Sequence, residues 1–249
     1  MKVLFVGESW VINSTHIKGF DQFTETTYGE GGKWLIEALE KSNIEVEYMP
    51  CHIAANEFPE TMEEINKYDV VILSDIGANT LLLTEAVFAR GERLANRLEL
   101  IKDFVDAGGG FAMMGGYMSF QGIDGKAKFA HTPIADILPV TMMETDDRFE
   151  APEGVTPKIV NDSHPTLNGV KKEWPHFLGY NMLFAKDNAD VIAMGKKDHV
   201  FMASTEYGKG RTFIFASDIA PHWGSPTFMK WESYDKLFSN IAKWLAKEI

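Results

Sequence analysis

The stretch Ala107–Gly125, AGGGFAMMGGYMSFQGIDG, decides the fold. The apolar run FAMM has three glycines before it and two after it, as a buried strand does when its carboxyl end must bend sharply. Such a strand-to-turn junction is where α/β enzymes mount a nucleophile at the top of the sheet. The turn here reads Gly115, Gly116, Tyr117, Met118, Ser119. Its candidates for chemistry are the hydroxyls of Tyr117 and Ser119 and the backbone amides of Gly115 and Gly116.

Outward from that strand, the chain alternates between two periodicities. KVLFVG (Lys2 to Gly7) and YDVVILSD (Tyr68 to Asp75) have the continuous Val/Ile/Leu character of parallel strands covered on both faces. GKWLIEALEKS reads as an amphipathic helix, IEVEYM as an alternating strand, and a further helix is expected from about Gly91 to Val105. This alternation predicts an α/β protein: an open, mainly parallel sheet with helices on both faces and ligands at the carboxyl ends of its strands. Beyond Gly125 the text is rich in Pro, Gly, Asp and Asn and is expected to form insertions on the sheet. ADVIAMG, HVFMAST and GRTFIFASD then predict a short antiparallel meander. WESYDKLFSNIAKWLAKEI aligns Tyr234, Leu237, Phe238, Ile241, Trp244 and Leu245 along one face of a last helix. No repeat, low-complexity segment or linker interrupts residues 1–249, so one domain is expected.

Composition narrows the function classes. An apolar fraction of 45% in 249 residues supports a sizeable core, and a net charge of −12 disfavours a nucleic-acid partner, which would need clustered Lys and Arg. No run of eighteen apolar residues is present, so no membrane helix is expected. The opening MKVLFVGESW moves into polar residues too soon for a signal-peptide core. The expectation is therefore a cytoplasmic protein with a small-molecule ligand. A single cysteine, Cys51, excludes an internal disulfide and a multi-thiolate metal site.

In a parallel sheet, the residues that follow each strand share one rim. The first strand delivers Glu8, Ser9 and Trp10; the second, Cys51 and His52; the third, Asp75, Gly77 and Asn79; the fourth, Gly115 to Ser119. The last strand before the terminal helix delivers Asp218, His222 and Trp223. Taken singly, strand-end Asp and Ser residues commonly cap the next helix. Taken together, they form a candidate ligand site: Glu8, Ser9, Trp10, Asp75, Gly77, Asn79, Gly115, Gly116 and Trp223 for binding, with His222, Tyr117, Ser119 and Asp218 for catalysis. SDIGAN is either a tight turn or an anion cradle of backbone N–H groups. His222, in a loop stiffened by prolines, reads as a general base, a metal ligand or a packed ring beside Trp223. Tyr117 reads as an aromatic wall or a hydrogen-bond donor. The remaining histidines lack metal-ligand spacing, so no metal and no cofactor are expected. Asp146 and Asp147 read as solvated acids in a charged loop.

The segments GGGFAMMGGYMSFQG, TPIADILPV, NDSHPTLNG, LGYNML and FASDIAPHWGSP together resemble the class I glutamine amidotransferase-like proteins, in the branch near the trehalose-utilisation (ThuA-like) proteins. The resemblance implies a flavodoxin-like sheet and, in true amidotransferases, a cysteine in the turn activated by a histidine that lies two residues before a glutamate. This chain departs on both counts: no alignment puts a cysteine in the turn, and Gly224 stands two residues after His222. Cys51 lacks a strand-to-helix elbow and reads as a buried, inert thiol. No glutaminase activity is expected.

Two readings follow. One is an enzyme of altered chemistry, a hydrolase or isomerase acting on a small polar metabolite; the resemblance points to a carbohydrate derivative. The other is a non-catalytic ligand-binding or regulatory protein on the same scaffold. A homo-oligomer is expected, because residues 125–180 are rich in aromatics and Met for a loop region, and such residues enrich interfaces.

Overall fold

The continuous apolar runs become the buried centre of an eight-stranded sheet in a computed structural model that describes residues 1–249. The first half of the chain supplies β1 (Lys2–Gly7), β2 (Ser9–Lys18), β3 (Asp21–Glu30), α1 (Lys33–Glu40), β4 (Glu45–Met49), α2 (Cys51–Glu57), α3 (Met62–Ile65) and β5 (Val70–Ser74). There follow α4 (Ala78–Leu82), α5 (Glu85–Arg90), α6 (Arg97–Ala107), β6 (Gly110–Met114), α7 (Pro133–Ile137), β7 (Val140–Met142), β8 (Arg148–Val155) and β9 (Lys158–Ile159). The chain closes with β10 (Phe177–Asn181), β11 (Leu183–Ala185), β12 (Asp190–Met194), β13 (Val200–Tyr207), β14 (Gly210–Phe215), α8 (Pro226–Met229) and α9 (Tyr234–Leu245).

The strand order is β4-β1-β5-β6-β14-β13-β12-β9, parallel from β4 to β14 and antiparallel beyond. Two helical layers cover it: α1 packs with α9, and α6 with α3, α4 and α7. Strands β5 and β6 are buried along their whole length, as their unbroken apolar sequences require. The architecture is the expected mainly parallel α/β sheet with an antiparallel extension.

Four features depart from expectation. The helix foreseen from about Gly91 begins at Arg97, because the Asn96 side chain accepts the amides of Leu98 and Glu99 and so sets the start. Gly91 instead ends α5 in the left-handed conformation, φ 65°. The segment after Gly125 is more regular than its turn-rich text implies: β7 pairs with β11, β8 with β10, and β9 joins the main sheet. The aromatic residues expected to make that segment an interface, Phe129, Trp174 and Phe177 among them, lie buried in the chain's own core. Finally, the connection from β1 to α1 contains an unforeseen hairpin, β2 and β3, which pair only with each other.

Candidate functional site

Glu8 and Asp75 stand immediately after β1 and β5, and both adopt the left-handed backbone conformation, φ 47° and 44°. That conformation is costly for a residue bearing a Cβ, so the surrounding structure has to hold it. It turns the chain over the sheet edge at two neighbouring strands. With Trp10, Tyr117, Asp218, Ala220, Pro221 and His222, these two acids line a cleft of about 260 Å³. A second hollow, about 370 Å³, lies between Ile159 and Trp174. It contains none of the rim residues, and its lysines are paired, Lys171 with Glu232 and Lys172 with Asp162.

The loop after β14 supplies a histidine already oriented by a carboxylate. Asp218 is buried, and its Oδ2 lies 2.7 Å from His222 Nδ1 while also accepting the Trp223 amide at 2.9 Å. An ionised Asp218 makes Nδ1 the protonated nitrogen and leaves Nε2 free to accept a proton. The Asp218 hydrogen bond raises the His222 pKa above its ordinary value, outweighing the ring's partial burial. Burial pushes the Asp218 carboxyl up as well, and its two N–H donors act against that rise.

Tyr117 packs edge-on against His222, with ring centres 4.5 Å apart and planes at 88°. Its hydroxyl donates to Glu150 Oε1 at 2.9 Å, and the Trp223 indole N–H donates to Glu150 Oε2 at 3.0 Å. The Arg148 guanidinium lies 4.8 Å from the Tyr117 ring centre. Glu150 and Arg148, both on β8, thus buttress the aromatic wall of the cleft. Sequence reading missed them because β8 lies in the turn-rich segment.

The acids form the second half of the cleft. Glu8 is buried and accepts the Ser74 hydroxyl at 2.6 Å; burial, then the nearby charges of Asp75 and Asp218, push its pKa well above its ordinary value. Asp75 is pushed up to about 6, first by burial and then by Asp218, even though its Oδ1 accepts the Met118 amide at 2.7 Å. A Cβ on Gly116 would come within 2.8 Å of Asp75 Oδ1 and 3.1 Å of Asp218 Oδ1. The glycine, with φ 147°, is therefore what lets the two carboxyl groups flank the turn.

That turn is pinned from below. Asn181 Oδ1 accepts the Gly116 amide at 3.0 Å, and Asn181 Nδ2 donates to the Gly116 carbonyl at 3.2 Å and to Asp147 Oδ1 at 2.8 Å. Asp147 also accepts the amides of Gln121 and Gly122, each at 2.9 Å. The expectation that Asp147 is solvated is overturned: it is fully buried, held by these three donors, with a pKa near 6 from burial. Asp146 pairs with Arg148 at 2.8 Å.

The other rim residues are arranged around the cleft in a different way. Ser119 is buried, and its hydroxyl accepts the Asp75 amide at 3.0 Å, supporting the strained residue. The Ser9 hydroxyl accepts the Cys51 amide at 2.7 Å. The Trp223 ring is buried behind His222, with its ring centre 5.4 Å away. The Gly115 amide is directed to backbone carbonyls of Phe215 and Ser217. Gly77 precedes α4, Asn79 is exposed on α4, and neither lines the cleft. Contrary to expectation, Cys51 does stand at a strand-to-helix junction, two residues after β4 and first in α2; burial raises its thiol pKa, and it lies 3.8 Å from the Asp75 carbonyl without lining the cleft. No group of three or more His, Cys, Asp or Glu side chains is arranged to hold a metal ion.

A family described as "Putative glutamine amidotransferase" matches residues 2–247. The chain belongs to that family. Two Salmonella typhimurium proteins, cytoplasmic protein STM3548 and cytoplasmic protein STM1381, are each 44% identical to this family member, with TM-score 0.95 over 98% of this chain and 99% of theirs. A ThuA-like protein from Parabacteroides merdae shares the fold at 13% identity, TM-score 0.58, over 99% of this chain and 90% of its own. A β-galactosidase from Rahnella sp. R3 contains the same fold in part, at 15% identity and TM-score 0.52 over 86% of this chain and 26% of that one. No curated protein matches. Within the class I glutamine amidotransferase-like fold, this family member places Gly116 and Tyr117 in the turn and takes its histidine-orienting carboxylate from Asp218, four residues before His222.

Proposed function

We propose that this amidotransferase-family protein is an enzyme that performs general acid–base chemistry, a hydrolysis or an isomerisation, on a small, uncharged polar metabolite of the carbohydrate class. The observation that carries this reading is the Asp218–His222 pair facing Glu8 and Asp75 in one cleft. His222 Nε2 is the base. Glu8, whose pKa is raised by burial and by the two neighbouring carboxyl groups, is the acid. Clustered titratable groups whose pKa values are shifted by burial and by specific charged partners in a cleft are a mark of functional sites.

The lining argues for the substrate class. The carboxyl groups of the lining hydrogen-bond to hydroxyls and the ionised Asp218 disfavours anions, while Trp10 and Tyr117 offer flat apolar faces of the kind on which a sugar ring stacks. A cleft of about 260 Å³ admits one small ring or a short chain. The resemblance to the trehalose-utilisation proteins supports the same class. Glutaminase chemistry is not proposed, because the turn offers no thiol and the one cysteine is disfavoured as a thiolate. No helix is long and apolar enough to cross a membrane. With two relatives described as cytoplasmic, we place the protein in the cytoplasm.

The test is a panel of neutral sugars, sugar acids, polyols and amines, read for turnover and for binding, with the parent protein and His222→Ala. The expected result is turnover of a neutral polyhydroxylated compound that falls by about 100-fold or more in the variant, while affinity changes only a few-fold. The missing turn nucleophile favours a second reading, a ligand-binding protein. Tight binding of a panel member with no turnover by the parent would establish that reading instead.

A further inference from the structure

We propose that the β2–β3 hairpin is a dimerisation arm whose partner is the same arm of a second copy of this chain. The two ten-residue strands pair from Ser9–Glu30 to Lys18–Asp21 and pair with no other strand. Only Ser9 at the root is buried, and Phe20 at the tip is entirely in solvent. A two-stranded ribbon alone in water is marginally stable. Its apolar side chains therefore call for a cover that the rest of the chain does not provide.

The distribution of exposed apolar residues singles out the arm. Of the twelve large apolar side chains left exposed on the whole molecule, seven lie in it: Trp10, Val11, Ile12, Ile17, Phe20, Phe23 and Tyr28. The other five, including Phe88 and Val160, are spread over the remaining surface. By the strand register the seven divide between the two faces of the ribbon, Trp10, Ile12 and Phe23 on one and Val11, Ile17 and Tyr28 on the other, with Phe20 at the tip. Exposed apolar residues concentrated in one projecting element mark a contact site.

Charge selects the partner and the edge. The chain carries a net −12, so two copies repel wherever their carboxylates face each other. Strand β2 carries Lys18 and no Asp or Glu in ten residues, whereas β3 carries Asp21, Glu25 and Glu30. The free edge of β2 is thus a long strand edge at which two copies meet without opposing acids, its unpaired N–H and C=O groups still open to pairing. Two β2 edges joined antiparallel about a two-fold axis give a four-stranded sheet, the self-complementary contact of a cyclic dimer. This contact is independent of the chemistry proposed for the cleft.

Static light scattering on the intact chain at about 10 μM, within the micromolar range in which the weaker protein interfaces assemble, tests the proposal. The expected mass is twice the 28.0 kDa of the chain. It should fall to 28.0 kDa in the double variant Val11→Asp, Ile17→Asp, whose far-UV circular dichroism and cooperative melting should still report a folded protein. Both sites are more than half exposed and lie outside the core. Phe88→Asp, exposed but outside the arm, should keep the doubled mass. A parent chain at 28.0 kDa, an arm variant that keeps the parent mass, or a Phe88→Asp protein that loses it would each overturn the proposal.

Discussion

The imidazole of His222 and the carboxylate of Asp218 are joined by a 2.7 Å hydrogen bond across a loop, with no helix to set their i,i+4 spacing. A second bond, from the Trp223 amide to the same oxygen, fixes the carboxylate from behind, so the ring orientation is built before any ligand arrives.

Asp218→Asn should lower the His222 pKa, because it removes the first cause of its rise. Rates that depend on neutral His222 climb as pH passes through that pKa. In the variant the climb should therefore move to lower pH, while the plateau falls about 100-fold or more because the amide no longer enforces the Nδ1–H tautomer. Nitrogen-15 NMR of the ring reads the first effect and a pH–rate profile the second. An unmoved His222 titration would show that Asp218 is not its electrostatic partner.

Asp75 predicts a stability gain purchased with function. Its pKa is raised from 3.8 to about 6 in the folded protein, so the group favours folding below about pH 4 and that favour is lost as pH rises through 6. Above pH 6 the ionised, buried carboxylate therefore works against folding, by about 2–3 kcal/mol. Asp75→Asn keeps an oxygen for the Met118 amide and removes the charge. Urea unfolding at pH 7.5 should find the variant more stable by up to that amount, with the difference closing toward pH 4. Equal stability at both pH values would contradict the burial of this charge.

Asn181→Ala should destabilise the protein by about 2–4 kcal/mol, more than a surface amide would. The change strands the Gly116 amide and carbonyl and takes from the buried Asp147 one of its three donors. Because Gly116 sits between Asp75 and Asp218, the relaxed turn should also shift the Asp75 titration. Chemical denaturation and carbon-13 NMR of the carboxyl carbons check the two effects. A loss under 1 kcal/mol would mean that ordered water takes over the role of Asn181.

What the sequence disclosed follows from where burial is continuous. Strands β1, β5 and β6 are covered on both faces, so their apolar runs were readable directly, and with them the rim that carries Glu8, Asp75 and Tyr117. Strands β2 and β3 are covered on neither face. Their Thr, Ser and Asn residues pair across the ribbon, as in Thr15 with Thr24 and Asn13 with Thr26, and leave no apolar alternation to read. Local text also failed to distinguish Asp146 from Asp147. One is paired to Arg148 near the surface and the other is buried beneath the turn, a difference set by Asn181, thirty-four residues away from Asp147. The family's spacing points two residues downstream of His222, where Gly224 stands, whereas the orienting acid is Asp218, because a loop's spatial neighbours do not follow from that spacing.

Glutamine should release no ammonia in the presence of this protein, and Cys51→Ser should change nothing about that result. The argument rests on the state of the thiol. Burial raises its pKa above the ordinary thiol value, the charges of Asp75 and Glu8 push in the same direction, and the hydrogen bonds with Ser9 only partly oppose them. Near neutral pH the group is therefore almost entirely the poorly nucleophilic thiol. Alkylation by iodoacetamide measures this independently of any substrate: it should be slow at pH 7 and accelerate only above the pH at which an exposed cysteine reacts. Ammonia release that disappears in Cys51→Ser, or alkylation as fast as that of an activated cysteine, would return this chain to glutamine chemistry and displace His222 as the centre of its reaction.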